Sequence, residues 1–291
     1  MLQCAGRSRD ERRTVGAVTA VALASRFWGL GCPKIFHEVA TLLPYLLIDS
    51  RGEDVVLFDP GSIPDFPVVM RKVIDVIPPE TISLVVVSHQ DPDVCGNLAV
   101  LEDVIDRDDL KIAAHLNTVR LIEHLGLRSE FYAVDQHDYR YTLKSGRELE
   151  FIYLPFLHSP GAIATFDAKT NTLVSGDLFG AISDDESLFV PESFPRNMDS
   201  FHQAYMPANS VLRHAMERLS KYDIKRILPQ HGSIIEDDDV QECRYLVKDF
   251  GTSQSPKSTR QRDSRYCPDR PALITTPSRT LQQSCSCATP S

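Results

Sequence analysis

Apolar positions along this chain switch repeatedly between the period of a strand and that of a helix. Residues 42–49 and 54–59 alternate or run apolar as two strands, with Ser50-Arg51-Gly52-Glu53 as the turn between them. Residues 66–76 carry helical spacing and stop at Pro78-Pro79. Residues 82–88 form a nearly continuous apolar run, the mark of a strand covered on both faces, and the run delivers His89 at its far end. Helices are predicted over 98–105 and 118–125, with a short strand at 111–114 between them.

The second half opens on strands at 131–134, 139–143 and 148–154. Two more follow at 162–167 and 172–175, joined by Lys169-Thr170-Asn171. A long loop is expected over 180–199, a helix over 201–219 broken near Pro207, a last short strand at 226–228 and a last helix over 240–250. Strands in both halves with helices interspersed fit an α/β architecture of two sheets packed face to face and covered outside by helices, an αββα sandwich. The pattern by itself admits other α/β folds.

Composition sets the limits of that domain. Residues 26–250 read as one continuous unit, within the size a single core supports. Residues 1–25 read as an N-terminal extension. Arg12 and Arg13 precede a weakly apolar stretch ending Ala22-Leu23-Ala24, which has the outline of an export signal but leads almost at once into the fold. Residues 251–291 turn to Ser, Thr, Pro, Arg and Gln and are expected to be a disordered tail. The formal net charge of −9 repels phosphate backbones, so no nucleic-acid partner is expected. No apolar run is long enough to cross a bilayer, so no membrane partner is expected either. The seven cysteines show no CxxC spacing in the domain, which favours reduced thiols and a cytoplasmic location.

Candidate chemistry concentrates in Ser88-His89-Gln90-Asp91-Pro92-Asp93-Val94. Three possible metal ligands, His89, Asp91 and Asp93, stand at alternate positions after a buried strand, and an extended segment would point all three to one side. Three later strands end the same way, on His158 before Ser159-Pro160-Gly161, on Asp177 after Gly176 and on His231 before Gly232, small or turn-forming neighbours that let backbone approach an ion closely. Any one of these alone is most simply a turn residue. Asp59 shows why, since Asp59-Pro60-Gly61 is also good turn chemistry. The joint pattern is what points to metal. Three imidazoles with three carboxylates suit non-haem iron or manganese, whereas zinc hydrolases favour more nitrogen. Three carboxylates and a bridging hydroxide would also cancel the charge of two ferrous ions in a buried site.

The order and setting of these residues resemble the metallo-β-lactamase superfamily, whose hallmark is H-x-H-x-D-H followed by a later His, a bridging Asp and a final His. Asp91 stands where most hydrolases have the second His, and a carboxylate there marks the flavodiiron branch. Leu46-Leu47-Ile48-Asp49, Leu57-Phe58-Asp59-Pro60-Gly61, the stretch from Leu154 through His158 to Gly161, Ser175-Gly176-Asp177-Leu178-Phe179 and Tyr205-Met206-Pro207-Ala208-Asn209 resemble the same branch, especially its stand-alone oxygen-binding di-iron proteins. The likeness covers residues 27–250.

That resemblance implies a first metal on His89, Asp91 and His158, a second on Asp93 and His231, and Asp177 bridging both. It implies two iron ions (Fe2+/Fe3+) with a bridging hydroxide or oxo group, zinc or manganese being the other options. Two departures stand out. Val94 replaces the family's last motif His, which leaves the second metal one nitrogen short, and Asp91 is one methylene shorter than the usual Glu. His37 falls where many flavodiiron domains have a His near the metals, and reads equally as a strand-edge His.

The implied function is binding of O2, with NO or another small ligand as the other options, by a sensor or a slow reductase. The chain's tail has no phosphate-cradling loop before a helix, so no FMN site is expected in this chain. An O2/NO oxidoreductase would then need a separate reductase, and a sensor a signalling protein. A homodimer is also possible on this resemblance. The alternative is a metal-dependent hydrolase of the same fold acting on an ester, thioester or phosphodiester, and Asp91 is the residue against it.

Overall fold

The computed structural model describes residues 14–15, 18–19, 42–49, 54–182, 188–191 and 194–249. The expected turn at Ser50-Arg51-Gly52-Glu53, His37, most of the extension over 1–25 and the segment 251–291 lie outside the described residues.

The first sheet runs β1 (Thr14–Val15), β2 (Val18–Thr19), β3 (Tyr45–Ile48), β4 (Val55–Phe58), β5 (Ile82–Val86), β6 (Lys111–Ala114) and β7 (Glu130–Ala133), in that spatial order. The pairings β4–β5, β5–β6 and β6–β7 are parallel, so these strands end at the same edge. The second sheet contains β8 (Arg140–Thr142), β9 (Glu148–Tyr153), β10 (Ile163–Asp167), β11 (Thr172–Gly176), β12 (Arg226–Pro229) and β13 (Ile235–Glu236), again neighbour to neighbour in chain order. Only its β11–β12 pair is parallel among these strands. The helices are α1 (Phe66–Ile74), α2 (Pro92–Cys95), α3 (Leu98–Ile105), α4 (Leu116–Ile122), α5 (Asp199–Tyr205), α6 (Asn209–Leu219) and α7 (Asp238–Asp249).

Side-chain alternation explains the layering. In β4, Val55 and Leu57 pack with Val69, Met70 and Val73 of α1 and with Leu98, Leu101 and Ile105 of α3. Val56 and Phe58, on the other face, join Leu84 and Val86 and meet Leu149, Phe151, Ile163, Val174 and Leu228 of the second sheet. The second sheet's outer face, with Ile152, Ala164, Phe166, Leu173 and Ile227, is covered by Phe201 of α5, Leu212, Ala215, Met216 and Leu219 of α6 and Val240 and Cys243 of α7. Both faces of β4 and β5 are buried, which is why their sequence runs apolar rather than alternating. Three apolar clusters in succession give the expected αββα sandwich.

The element readings hold for most of the domain, including the break between α5 and α6 at Pro207. Within residues 26–250, two strands or α-helices were not anticipated. One is β13, only two residues long. The other is α2, which begins at Pro92 inside the ligand motif; Pro is pre-set for the first helical turn, and Asp91 precedes it in extended conformation. Two further strands not anticipated lie in the extension: β1 forms the edge of the first sheet and β2 pairs antiparallel with β3. Among the described residues no helix is long and apolar enough to cross a membrane.

Candidate metal centre

All six sequence-selected residues come together at one end of the sandwich. The loop after β5 supplies His89, Asp91 and Asp93, while His158 follows β9, Asp177 follows β11 and His231 follows β12. His89, Asp91 and His158 each place a ligand atom within 4.8 Å of the others. His158 Nε2 lies 3.2 Å from Asp91 Oδ2 and 3.0 Å from Asp177 Oδ2. His89 Nε2 lies 3.6 Å from the same Asp177 oxygen and 3.9 Å from Asp91 Oδ2. A second group stands beside the first: His231 Nε2 is 3.2 Å from Asp93 Oδ2 and 3.7 Å from Asp177 Oδ1. Asp177 therefore turns one oxygen to each group. Its Oδ1 is buried and has no hydrogen-bond partner among the described residues.

Asp91 and Asp93 do not point to one side along a single extended segment, as alternation had suggested. The segment is not extended throughout, because α2 starts at Pro92. Asp93, in its first turn, meets His231 instead of joining His89 and Asp91. Val94 is fully buried in the apolar cluster around Leu98 and Val87.

Electrostatics follow from crowding three carboxylates among three imidazoles. Against the upward push of burial, His89, His158 and His231 hold the Asp177 carboxyl well below the usual carboxylate range. His158 is pushed up to about 10 by Asp177 and then Asp91, the effect of hydrogen bonding to its charged form. The hydrogen bond from His158 in turn lowers Asp91.

Supporting residues fix the donors. Ser88 Oγ lies 2.9 Å from His89 Nδ1, leaving Nε2 toward the centre. Asp59 Oδ1 accepts from the Ser88 backbone N–H at 2.7 Å. Asp59 is therefore more than the turn residue its Asp-Pro-Gly setting suggested, although its backbone does turn, with φ of 46°. Burial raises its carboxyl to about 6. The sequence signals for it were the shared form, a carboxylate closing a strand, and its place in the family-like stretch Leu57-Phe58-Asp59-Pro60-Gly61. Helix α5 was missed as a contributor. Phe201 sits 5.5 Å from the His231 ring, Tyr205 sits 5.6 Å from the His158 ring, and buried His202 accepts from the Phe179 N–H at 3.2 Å. Cys95, read as loop packing, is buried with its S–H toward the Gln90 and Asp91 carbonyls, and burial pushes its thiol up to about 12.

The glycines near the ligands also sit against other protein segments. A Cβ on Gly176 would stand 2.9 Å from Ser88 Cβ, and its φ is +58°. On Gly161 it would meet Thr118 at 2.3 Å, and on Gly232 it would meet Ala181 at 2.8 Å. These glycines let the ligand loops approach other protein segments, and Gly176 in particular lets β11 pass the serine that orients His89.

Known proteins share this fold. The structure of a peroxy diiron species of the chemotaxis sensor ODP matches with a TM-score of 0.63 and 28% identity, covering 72% of this chain and 87% of that one. The apo state of the chemotaxis sensor ODP from T. denticola matches with a TM-score of 0.64 and 29% identity, covering 72% and 85%. A protein of Synechocystis sp. named as a diflavin flavoprotein is 26% identical over 190 residues, which cover 64% of this chain and 32% of that protein. This chain thus spans about a third of the length of that curated relative. The sandwich, the flavodiiron-type likeness and a match over residues 41–232 agree, and the chain belongs to the ODP family of beta-lactamases.

Proposed function

We propose that this chain is an oxygen-binding non-haem di-iron protein that senses O2 or reduces it slowly. The observation that carries the reading is the pair of ligand groups sharing Asp177, whose buried Oδ1 has no hydrogen-bond donor among the described residues. A buried carboxylate oxygen left without a donor is costly, and a cation would satisfy it. The residues fit such a centre. His89, Asp91 and His158 would hold the first ion, Asp93 and His231 the second, and Asp177 both. Iron, when bound, supplies redox chemistry and an open position for a small ligand. The remaining work belongs to this chain. Ser88 and Asp59 orient His89, the two sheets hold the donors on separate rigid strand ends, and Phe201 and Tyr205 pack against His231 and His158. The ODP structure with a peroxy diiron species supports O2 as the ligand. A separate reductase or a signalling protein would be the partner.

The test is an absorption spectrum. The metal-free protein is loaded anaerobically with ferrous ion and then exposed to O2. A new protein-dependent band, absent in Asp177→Ala, is the expected result. No band, with zinc held tightly instead, would replace this reading with the metallo-hydrolase.

A further inference from the structure

A side-chain relay joins the two loops that carry the first ligand group. Ser159 Oγ donates to Gln90 Oε1, and Gln90 Nε2 donates to Asp91 Oδ1 at 3.1 Å. Ser159 follows His158 in the second sheet's loop, and Gln90 stands between His89 and Asp91 in the first sheet's loop. One amide thus spans the seam between the sheets and ends on a ligand carboxylate. Its orientation is set by that carboxylate, which accepts only: the flipped amide would turn its oxygen toward Asp91 Oδ1.

The relay matters because Asp91 is less enclosed than its neighbours, with its side chain 32% exposed against 2% for His89 and 4% for Asp177. The terminal torsion of an Asp side chain is broad, so the carboxylate needs a partner to hold one setting. With Oδ1 occupied by Gln90, Oδ2 remains toward His158 Nε2 at 3.2 Å and His89 Nε2 at 3.9 Å. We infer that Gln90 is a positioning residue which presents Asp91 to the first metal through a single oxygen, and that Ser159 acts through Gln90. This rests on the metal-centre reading above.

The experiment titrates the full-length metal-free chain with cobalt(II) and follows its visible spectrum. It uses two parents, His231→Ala, which keeps the first ligand group, and His158→Ala, which keeps the second. Gln90→Leu is expected to weaken cobalt binding about 10- to 100-fold in the His231→Ala parent, the usual effect of removing a partner of a metal ligand. In the His158→Ala parent it should change binding less than about twofold on the same basis. Ser159→Ala should weaken the first group too, but add nothing once Gln90 is replaced. Gln90 is half-buried, so melting of each metal-free variant separates loss of fold from loss of positioning, and Ser159→Ala probes the relay from its other end. Equal weakening in both parents, or additive effects of Gln90→Leu and Ser159→Ala, overturns the relay. Failure of the unmodified chain to bind cobalt overturns the metal-centre reading itself, a result distinct from normal parental binding that Gln90→Leu leaves unchanged.

Discussion

Gly176→Ala is a small change with a large expected effect. Two costs can be read from the structure. The native φ of +58° is strained for any residue with a Cβ, about 1–2 kcal/mol for an alanine. The added Cβ would also stand 2.9 Å from both Cβ and Oγ of Ser88, closer than real Cβ contacts come. Ser88 is buried and held by Asp59, so it cannot swing clear, and overpacking of this kind costs about 1–3 kcal/mol. Together these give about 2–5 kcal/mol, a sizeable part of the roughly 5–15 kcal/mol that a domain has. Urea unfolding of the metal-free protein measures the loss. Adding Ser88→Gly should return the overpacking part and leave the backbone part. Because Ser88 also contacts His89 Nδ1, Gly176→Ala should weaken first-site metal binding about tenfold. Unfolding within about 0.5 kcal/mol of the parent, the usual scatter of neutral substitutions, would refute both costs.

Further expectations follow from the same geometry. Asp177→Ala should abolish binding of both metals and His89→Ala binding of the first, and unchanged metal content by elemental analysis in both would remove the basis of the centre. Asp59→Asn keeps an acceptor for the Ser88 N–H and removes a buried charge. Because the folded pKa of Asp59 is raised to about 6, its contribution is fully present below the unfolded value and is lost as pH rises through about 6. The variant should therefore stabilise the metal-free protein by about 3 kcal/mol at pH 8 and by almost nothing below pH 4, and a pH-independent effect in denaturant titrations would contradict this. Val94→His would bury an imidazole in the apolar cluster around Leu98 and is expected to cost about 1–3 kcal/mol in unfolding experiments. A gain in second-metal affinity without that loss would show that the new side chain reaches the centre instead.

Much of this was legible in the sequence because the strands are short, apolar and punctuated. The run ending at Ser88 gives β5 and the delivery of His89, and Lys169-Thr170-Asn171 gives the β10–β11 turn. The six candidate ligands stood out because each follows a strand, and strand ends are where this sandwich converges. What escaped detection depends on contacts remote in sequence. Asp59 has the same local chemistry whether it ends a turn or grips Ser88, 29 residues away. Gly176 looks like a loop glycine until Ser88 is seen against it. α2 is too short to show a period, and β13 holds two residues that only pairing with β12 defines. Phe201 and Tyr205 read simply as helix residues, since nothing local says that α5 lies over His231 and His158.

The division of donors between the sheets has a consequence for how the chain folds. His89, Asp91 and Asp93 belong to the first sheet's loop, and His158, Asp177 and His231 to the second's. Neither sheet alone holds both members of the His158–Asp91 pair or the His231–Asp93 pair. The centre therefore cannot nucleate folding. It comes into being after long-range loop closure, one of the slow events for a topology rich in distant contacts. Whatever binds there binds the closed sandwich and not the open chain. At a hundred times its Kd, such a ligand would add about 2.7 kcal/mol to stability, acting as a clasp across the interface between the two layers.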